Sequence, residues 1–135
     1  MNSLIRISLN VSAAVFMIAG TTPIAIAGHH EEPIIEVRVY KIAAGKMDEW
    51  ERFFHDKLVE PQERAGMKII AAYRTLEDEN LFVWMRQFSG KTNMATERAG
   101  FYESDQWRNS LRPELREKGL VEKVEVVYTV SPSKL

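Results

Sequence analysis

The sequence predicts an α+β domain in which strands and helices follow one another in the order β-α-β-β-α-β. Three observations lead to this prediction. Alternating apolar residues mark a strand at each end of the region from residue 34 to residue 130. Two further strand segments, separated by a short acidic turn, form a predicted hairpin in the middle. Apolar residues at helical spacing fill the two remaining stretches. This order is the split βαβ, or ferredoxin-like, arrangement, with a four-stranded antiparallel sheet.

The first half of the pattern is a strand followed by a helix. We expect the strand over residues 34–41, where IIEVRVYK alternates between two kinds of side chain. The helix begins after Gly45, and its acidic first turn suits the positive end of a helix dipole. Pro61 is expected to end or kink this helix, because proline lacks the N–H that a helix interior needs. The apolar stripe of the helix consists of Met47, Trp50, Phe54 and Leu58.

The second half begins with the hairpin. Its strands are expected over residues 67–74 and 81–88, joined by the acidic turn LEDEN. Helical spacing returns from Thr92, with an interruption at Gly100 and a break near Pro113.

The last predicted strand, over residues 121–130, completes the sheet. The right-handed crossover rule leads us to expect strands one and three as parallel neighbours at the centre of the sheet. Two helices cover only one face of such a sheet, so the composition of the two faces matters.

The strands present two very different faces. Alternation separates an apolar set, which we expect under the helices, from a set that mixes charges with aromatic rings. A free surface rarely carries an aromatic cluster, so we expect a second copy of the chain to cover the mixed set. The apolar set consists of Val37, Val39, Ile69, Ala71, Tyr73, Leu81, Val83, Met85, Val124, Val126 and Tyr128, and the mixed set of Glu36, Arg38, Tyr40, Lys68, Ile70, Arg74, Phe82, Trp84, Arg86, Phe88, Glu125, Val127 and Thr129.

The amino terminus has the features of a secretory signal peptide. One basic residue, Arg6, precedes a short apolar run, and Ala25-Ile26-Ala27 matches a small-x-small cleavage site. We therefore expect a signal peptide at 1–27 and an exported mature protein, periplasmic or secreted, with no stable membrane anchor after cleavage. The remaining segments are a polar leader at 28–33, a domain at 34–131 and a tail at 132–135.

Composition narrows the class of protein further. The 135 residues carry a net charge of −1 without a basic cluster, which argues against a nucleic-acid partner. The chain has no cysteine, so disulfides, thiolate metal sites and a lipoprotein anchor are excluded. A small exported domain without disulfides gains stability from self-association, so we expect a homodimer.

Several stretches resemble the NIPSNAP family. EVRVYKIAAGKMDEW, residues 36–50, is similar to the family's first strand, with its Glu-x-Arg-x-Tyr pattern, and to the Gly-Lys and amphipathic helix that follow. GMKIIAAYRTLEDENLFVWMRQF, residues 66–88, resembles the second and third strands. Glu97-Arg98 and Asp105-Gln106-Trp107 resemble the "Glu-Arg … Asp-Pro-x-Trp" region, without its proline. The resemblance covers about residues 34–131.

The resemblance implies a dimeric α/β barrel, in which two ferredoxin-like units pack sheet to sheet with their helices outside. The same architecture houses small cofactor-free monooxygenases, haem-degrading oxygenases, chlorite dismutase-like proteins and isomerases. It brings no general activity, catalytic residue or cofactor to this chain, because a shared fold does not define a function.

Four residues on strands one and three form the first candidate site. Arg38, Tyr40, Trp84 and Arg86 are expected to cluster, since these strands are neighbours. Arginines suit an anionic group, and the aromatic rings supply stacking walls for a small anionic or aromatic ligand. The alternative is structural: Glu36 and Glu125 neutralise the arginines inside a dimer interface.

Two histidine sites complete the candidates. His55, on the flank of the first helix, is a candidate ligand-binding residue or base, although a lone histidine is more often a boundary residue. Cleavage after Ala27 would leave Gly28-His29-His30 as an amino terminus able to offer Cu(II) or Ni(II) a square-planar nitrogen set. The alternative is a flexible polar leader that contains histidines without binding a metal.

Three hypotheses follow for function. The first is an exported homodimer that binds a small molecule, with catalytic residues unassigned. The second is a cofactor-free monooxygenase-like enzyme. The third is a non-enzymatic interaction protein, with or without copper binding at its amino terminus.

Overall fold

The computed structural model of the protein describes residues 31–134, apart from the side chain of Val126. The predicted signal peptide and Gly28-His29-His30 lie outside these residues. The strands are β1 (Ile34–Ile42), β2 (Lys68–Arg74), β3 (Leu81–Phe88) and β4 (Val121–Val130). The helices are α1 (Met47–Phe53), α2 (Val59–Arg64), α3 (Met94–Tyr102) and α4 (Arg112–Lys118), with π-helical turns at Phe54–Leu58, between α1 and α2, and at Trp107–Leu111, before α4. No helix in the described part is long and apolar enough to cross a membrane.

The four strands form one antiparallel sheet in the order β2-β3-β1-β4. The predicted α+β, ferredoxin-like arrangement is therefore confirmed, but the predicted parallel pairing of strands one and three is wrong. The crossover through α1 and α2 makes β1 and β2 run in the same direction. The hairpin then reverses the chain, so β3 enters between them antiparallel to both.

Each π-helical turn is followed within three residues by a proline, Pro61 or Pro113. A proline ring crowds the carbonyl four residues earlier and offers it no N–H. Those carbonyls belong to Lys57 and Asn109, and both lie inside the π-helical turns. The wider turn accommodates the proline, so α2 and α4 continue past it. The predicted break near Pro113 is wrong for this reason.

The predicted interruption at Gly100 is also wrong, because α3 runs through this residue. Gly100 lies where α3 comes close to the end of α2. A Cβ built on Gly100 would lie 3.4 Å from the Cβ of Ala65. Two small residues thus allow the two helices to approach closely.

The face of the sheet that the helices cover is the mixed one. Glu36, Phe82, Trp84, Arg86 and Phe88 are all buried beneath the helices. The expectation that the apolar set lies under the helices is therefore wrong. On the helix-covered face, Glu36 and Arg86 are ion-paired, and the rings of the sheet pack against rings from the helices.

The opposite face of the sheet, here called the open face, is largely apolar, and none of the described helices lies on it. Residues that lie opposite each other on neighbouring strands project from the same face of the sheet. The apolar members of the open face are Ile35, Val37, Val39, Ala71, Tyr73, Leu81, Val83, Met85, Tyr128 and Val130, and near the strand ends the same face carries Lys41, Lys68, Gln87 and Lys123. Tyr73 and Tyr128 are each 60% exposed.

Two irregularities in register alter the predicted faces. In β2 the pairing shifts between Ile69 and Ala71, which places Ile69 opposite Arg86 on the helix-covered face. In β4 a shift puts Val124 opposite Tyr40, on the same face. Simple alternation fails at such positions because a bulge inserts one unpaired residue and reverses the phase beyond it.

The core between sheet and helices is predominantly aromatic. The ring of Phe54 lies 5.6 Å from Trp50, 5.2 Å from Phe82 and 5.3 Å from Trp84, measured between ring centres. Tilted and edge-to-face packing of this kind adds to the free energy gained by burying the rings. Phe54 therefore joins the first π-helical turn to the centre of the sheet.

We predict that Phe54→Ala lowers the free energy of unfolding by about 3–5 kcal/mol, because it leaves a cavity among these rings. Urea unfolding at a fixed protein concentration measures the change. Leu76→Ala is the control, because Leu76 is 98% exposed in the hairpin turn and should change stability by less than about 0.5 kcal/mol. Equal effects of the two substitutions would contradict the described core.

Candidate functional site

The centre of the candidate site is the carboxylate of Glu36, which is fully buried on β1. Arg86, from the neighbouring strand β3, donates from Nη2 to its Oε1 at 2.9 Å. Arg38 donates to the same oxygen, and Arg98, from α3, donates to Oε2. One carboxylate thus binds three guanidinium groups from two strands and a helix. The cluster retains excess positive charge.

The ionisation of Glu36 follows from these contacts. Burial acts to raise its pKa, because the apolar surroundings disfavour a charge. The positive charge of Arg86 and the hydrogen bonds from Arg38 and Arg98 act in the opposite direction and outweigh burial. The pKa of Glu36 therefore lies below its ordinary value, and the carboxylate is ionised at neutral pH.

Arg86 extends the network toward the helices. Its side chain is 1% exposed. Nη1 donates to Oε1 of Gln62 at 2.8 Å and to the hydroxyl of Tyr102 at 3.0 Å. Gln62 in turn donates to the carbonyl of Leu58, at the end of the first π-helical turn, at 3.0 Å. The arginine therefore fixes groups from α2 and α3 relative to the sheet.

Arg38 makes the equivalent connection on the other side of Glu36. Its Nε donates to the hydroxyl of Tyr40 at 3.1 Å. Its guanidinium lies over the rings of Tyr40 and Trp84, 5.4 Å from each ring centre. Burial raises the pKa of Tyr40, and the opposing charge of Arg38 does not cancel this effect. Tyr40 therefore keeps its proton at neutral pH.

These groups adjoin a small cavity between the helices and the sheet, here called the aromatic cavity. Its volume is about 30 Å³, which is room for about one water molecule. All three tryptophans of the chain line it. The lining residues are Tyr40, Trp50, Leu58, Gln62, Trp84, Phe101, Tyr102, Trp107 and Leu115. Leu58 and Trp107 come from the two π-helical turns, a kind of distortion that is frequent at functional sites.

Buried donors without partners belong to residues that line the aromatic cavity or contact its lining. The indole N–H groups of Trp50 and Trp84 are buried and have no acceptor among the described residues. Nε of Arg86 also lacks one. A buried donor without a partner costs about 1–3 kcal/mol, so these groups favour a bound molecule that supplies acceptors.

Four of the five predicted ligand-binding residues come together. Arg38, Tyr40, Trp84 and Arg86 form one connected group, because register pairs Arg38 with Trp84 and Tyr40 with Phe82 next to it. His55 is separate: it is exposed in the first π-helical turn and does not line the aromatic cavity.

The helices contribute residues to this site that the sequence pattern does not reveal. Helical spacing places Trp50 in the apolar stripe alone and does not connect Gln62, Arg98 or Tyr102 with the site. A weak signal was present in Gln62, which follows Leu58 by one helical turn and so continues a buried stripe with a polar group. Polar residues at buried helical positions usually have a specific partner.

The site is suited to binding hydrogen-bond acceptors and anions. In the part of the chain that the structure describes, no cluster of three or more histidine, aspartate or glutamate side chains is placed to hold a metal ion. Residues that carry neutral donor groups line the aromatic cavity, and guanidinium groups contact two of them, Tyr40 and Tyr102. Glu36 is the carboxylate closest to this network, but its ion pairs make it a weak base.

The fold and this site define a ferredoxin-like α+β protein with a polar cluster buried between sheet and helices. The NIPSNAP family model matches residues 35–134, so the chain belongs to the NIPSNAP family. A search of curated proteins finds no match.

Solved structures share the fold. A NIPSNAP family protein from Agrobacterium tumefaciens has a TM-score of 0.65 and 24% identity, covering 80% of this chain and 92% of that one. An uncharacterised NIPSNAP domain protein from Burkholderia xenovorans has a TM-score of 0.64 and 19% identity, with coverage of 74% and 94%. A putative antibiotic biosynthesis monooxygenase from Chloroflexus aurantiacus has a TM-score of 0.56 and 7% identity, with coverage of 76% and 94%. At these identities the likeness concerns the fold alone.

We predict that Glu36→Gln lowers the free energy of unfolding by about 3–5 kcal/mol at pH 7, because three guanidinium groups lose their shared counter-charge. The stabilisation from a depressed carboxylate pKa is present above the unfolded-state value of about 4.3 and is lost as pH falls through the lower folded-state pKa. The variant should therefore lose less stability than the parent protein across that acidic range.

Urea unfolding at a series of pH values between neutrality and the acid range measures this difference. Glu77→Gln is the matched control, since Glu77 is exposed in the hairpin turn. If Glu36→Gln and Glu77→Gln have the same stability at pH 7, Glu36 does not hold the buried cluster together.

Proposed function

We propose that this protein is an exported homodimer that binds a small anionic molecule in the aromatic cavity. The observation that carries the proposal is the set of buried donors around that cavity. Two indole N–H groups have no described acceptor, and both belong to residues that line it. A molecule with acceptor oxygens would satisfy these groups.

The charge of the surroundings favours an anion over a neutral acceptor. Three guanidinium groups surround a single carboxylate, and Arg38 and Arg86 each contact a residue of the cavity lining. Interactions between charges are strengthened where water is excluded. A carboxylate held by the aromatic donors would therefore be stabilised by the arginines behind them.

The size of the aromatic cavity restricts the bound group. Room for about one water molecule suits a carboxylate head group or a very small anion, with modest movement of the lining side chains. Formate is a suitable probe for this reason. Formamide has nearly the same shape without the charge, so it separates the effect of charge from that of size.

The proposed homodimer rests on the open face. This face carries apolar residues on all four strands, and Tyr73, Tyr128 and Val130 are more than one-third exposed there. Contiguous apolar surfaces of this kind mark interfaces. A second copy is the partner we favour, because two flat apolar sheet faces are complementary and a closed twofold contact buries both. This assigns the dimer to the face opposite the one expected from sequence.

Export is the third part of the proposal. It is supported by the signal-peptide pattern of residues 1–27. The lack of cysteine is compatible with export, because the chain cannot form incorrect disulfides in an oxidising compartment.

The ligand site predicts that formate binds the parent protein and that formamide binds at least tenfold more weakly. Trp84→Phe should weaken formate binding about tenfold, because it removes one N–H donor and keeps an aromatic ring. Calorimetric titration at constant ionic strength, with chloride as competing salt, measures the affinities. Tyr128→Phe, on the open face, is the control. If formate and formamide bind alike, the proposed anion site is wrong.

The dimer predicts that Val83→Lys, at the centre of the open face, produces a monomer, because two lysines would be buried across the interface without partners. Light scattering at micromolar concentration measures the change in mass. Asn109→Lys adds the same charge at an exposed helical position and should leave a dimer. A parent protein that is monomeric under these conditions would contradict the proposed interface.

A further inference from the structure

We propose that Tyr40 and Tyr102 form a pair of hydroxyl donors that holds one oxygen of a small carboxylate ligand, while Arg38 and Arg86 set the direction of each donation. The inference rests on the proposed anion site and names the atoms that recognise the ligand. It adds to that site a role for Tyr102 and for the contacts of the two arginines with the two tyrosines.

Each tyrosine hydroxyl accepts a hydrogen bond from a guanidinium group. Arg38 Nε donates to Tyr40 at 3.1 Å, and Arg86 Nη1 donates to Tyr102 at 3.0 Å. A phenolic hydroxyl has one hydrogen to donate in addition to its acceptor lone pairs. Neither hydroxyl donates to any described residue, so both hydrogens are free. The bound guanidinium groups direct those hydrogens away from the arginines.

Both tyrosines line the aromatic cavity. Tyr40 comes from β1 in the sheet and Tyr102 from the end of α3, so the two hydroxyls approach from different layers. Their rings are held by tryptophans: Tyr40 lies 5.7 Å from Trp84 and Tyr102 lies 5.4 Å from Trp107, between ring centres. This packing fixes the donors before a ligand arrives, which lowers the cost of orienting them.

The arrangement suits an oxygen that carries negative charge. A hydroxyl that accepts from a cation is polarised and becomes a better donor, because linked hydrogen bonds strengthen one another. The cations themselves are partly neutralised by Glu36 and act through the tyrosines. The ligand therefore meets two neutral, polarised donors with positive charge behind them. A carboxylate oxygen benefits from this more than an amide oxygen of the same size.

The chain supplies its own controls. It has four tyrosines, and the other two, Tyr73 and Tyr128, are 60% exposed on the open face. Replacement of any of the four by phenylalanine removes one hydroxyl and keeps the ring. The comparison therefore isolates the hydroxyls of the aromatic cavity.

The test is calorimetric titration of formate into Tyr40→Phe, Tyr102→Phe, Tyr73→Phe and Tyr128→Phe. We expect each cavity variant to bind formate about tenfold more weakly than the parent protein, and the two open-face variants to bind as the parent does. Formamide binding should change less than about threefold in all four variants. If the parent binds formate in preference to formamide but both cavity variants bind as tightly as the parent, the tyrosine pair is wrong and the anion site stands. If the parent binds no formate, both proposals fail.

A measurement on the parent protein covers the case in which a variant does not fold. Proton NMR of hydroxyl groups detects those held in strong hydrogen bonds. Saturating formate should bring two tyrosine hydroxyl resonances into view, and formamide should not. If neither resonance appears when formate is bound, the pair does not hold the ligand.

The role of Arg38 as a positioning residue has a separate readout. If Arg38 acts through Tyr40, Arg38→Gln weakens formate binding in the parent protein and has little further effect in Tyr40→Phe. A merely structural role would lower affinity by the same factor in both backgrounds, and that result would remove Arg38 from the proposal.

Discussion

The burial of one carboxylate among three guanidinium groups is the constraint on which the rest of this structure depends. Glu36 accepts from Arg38, Arg86 and Arg98, and these contacts join two strands to α3. An isolated charge in this position would be strongly destabilising, so the cluster forms only when sheet and helices are assembled together. The same contacts place Arg38 against Tyr40 and Arg86 against Tyr102. The cluster therefore organises the aromatic cavity as well as the fold.

This constraint explains why the order of elements was predictable and the assignment of faces was not. Periodicity and turn residues locate strands and helices with local information, and β3 and β4 have the predicted bounds. The choice of covered face depends on contacts that no single strand contains. The valines and Met85 of the open face have the composition of a core, but the protein chain covers this face with no element of its own in the described residues. Glu36 and Arg86 have the composition of a surface, but they neutralise each other inside the fold.

The candidate site was predictable where it follows from the sheet. Arg38, Tyr40, Trp84 and Arg86 lie on adjacent strands, so their proximity follows once β1 and β3 are paired. Tyr102 joins them only through the packing of α3, and that depends on Gly100 and on the accommodation of prolines by π-helical turns. These are features of the assembled layers. His55 is exposed on its helix. The spacing of the apolar residues does not show whether a residue at the edge of the stripe, such as His55, is buried or exposed.

The most direct test of this account is a carbon-13 NMR titration of the side-chain carboxyl of Glu36 in the intact folded protein, with Glu36→Gln used to assign the resonance. We expect a pKa below the ordinary value of about 4.3, because Arg86, Arg38 and Arg98 together stabilise the ionised form more than burial opposes it. A pKa at or above the ordinary value would show that the carboxylate is not held by these arginines and would contradict the proposed organisation of the site.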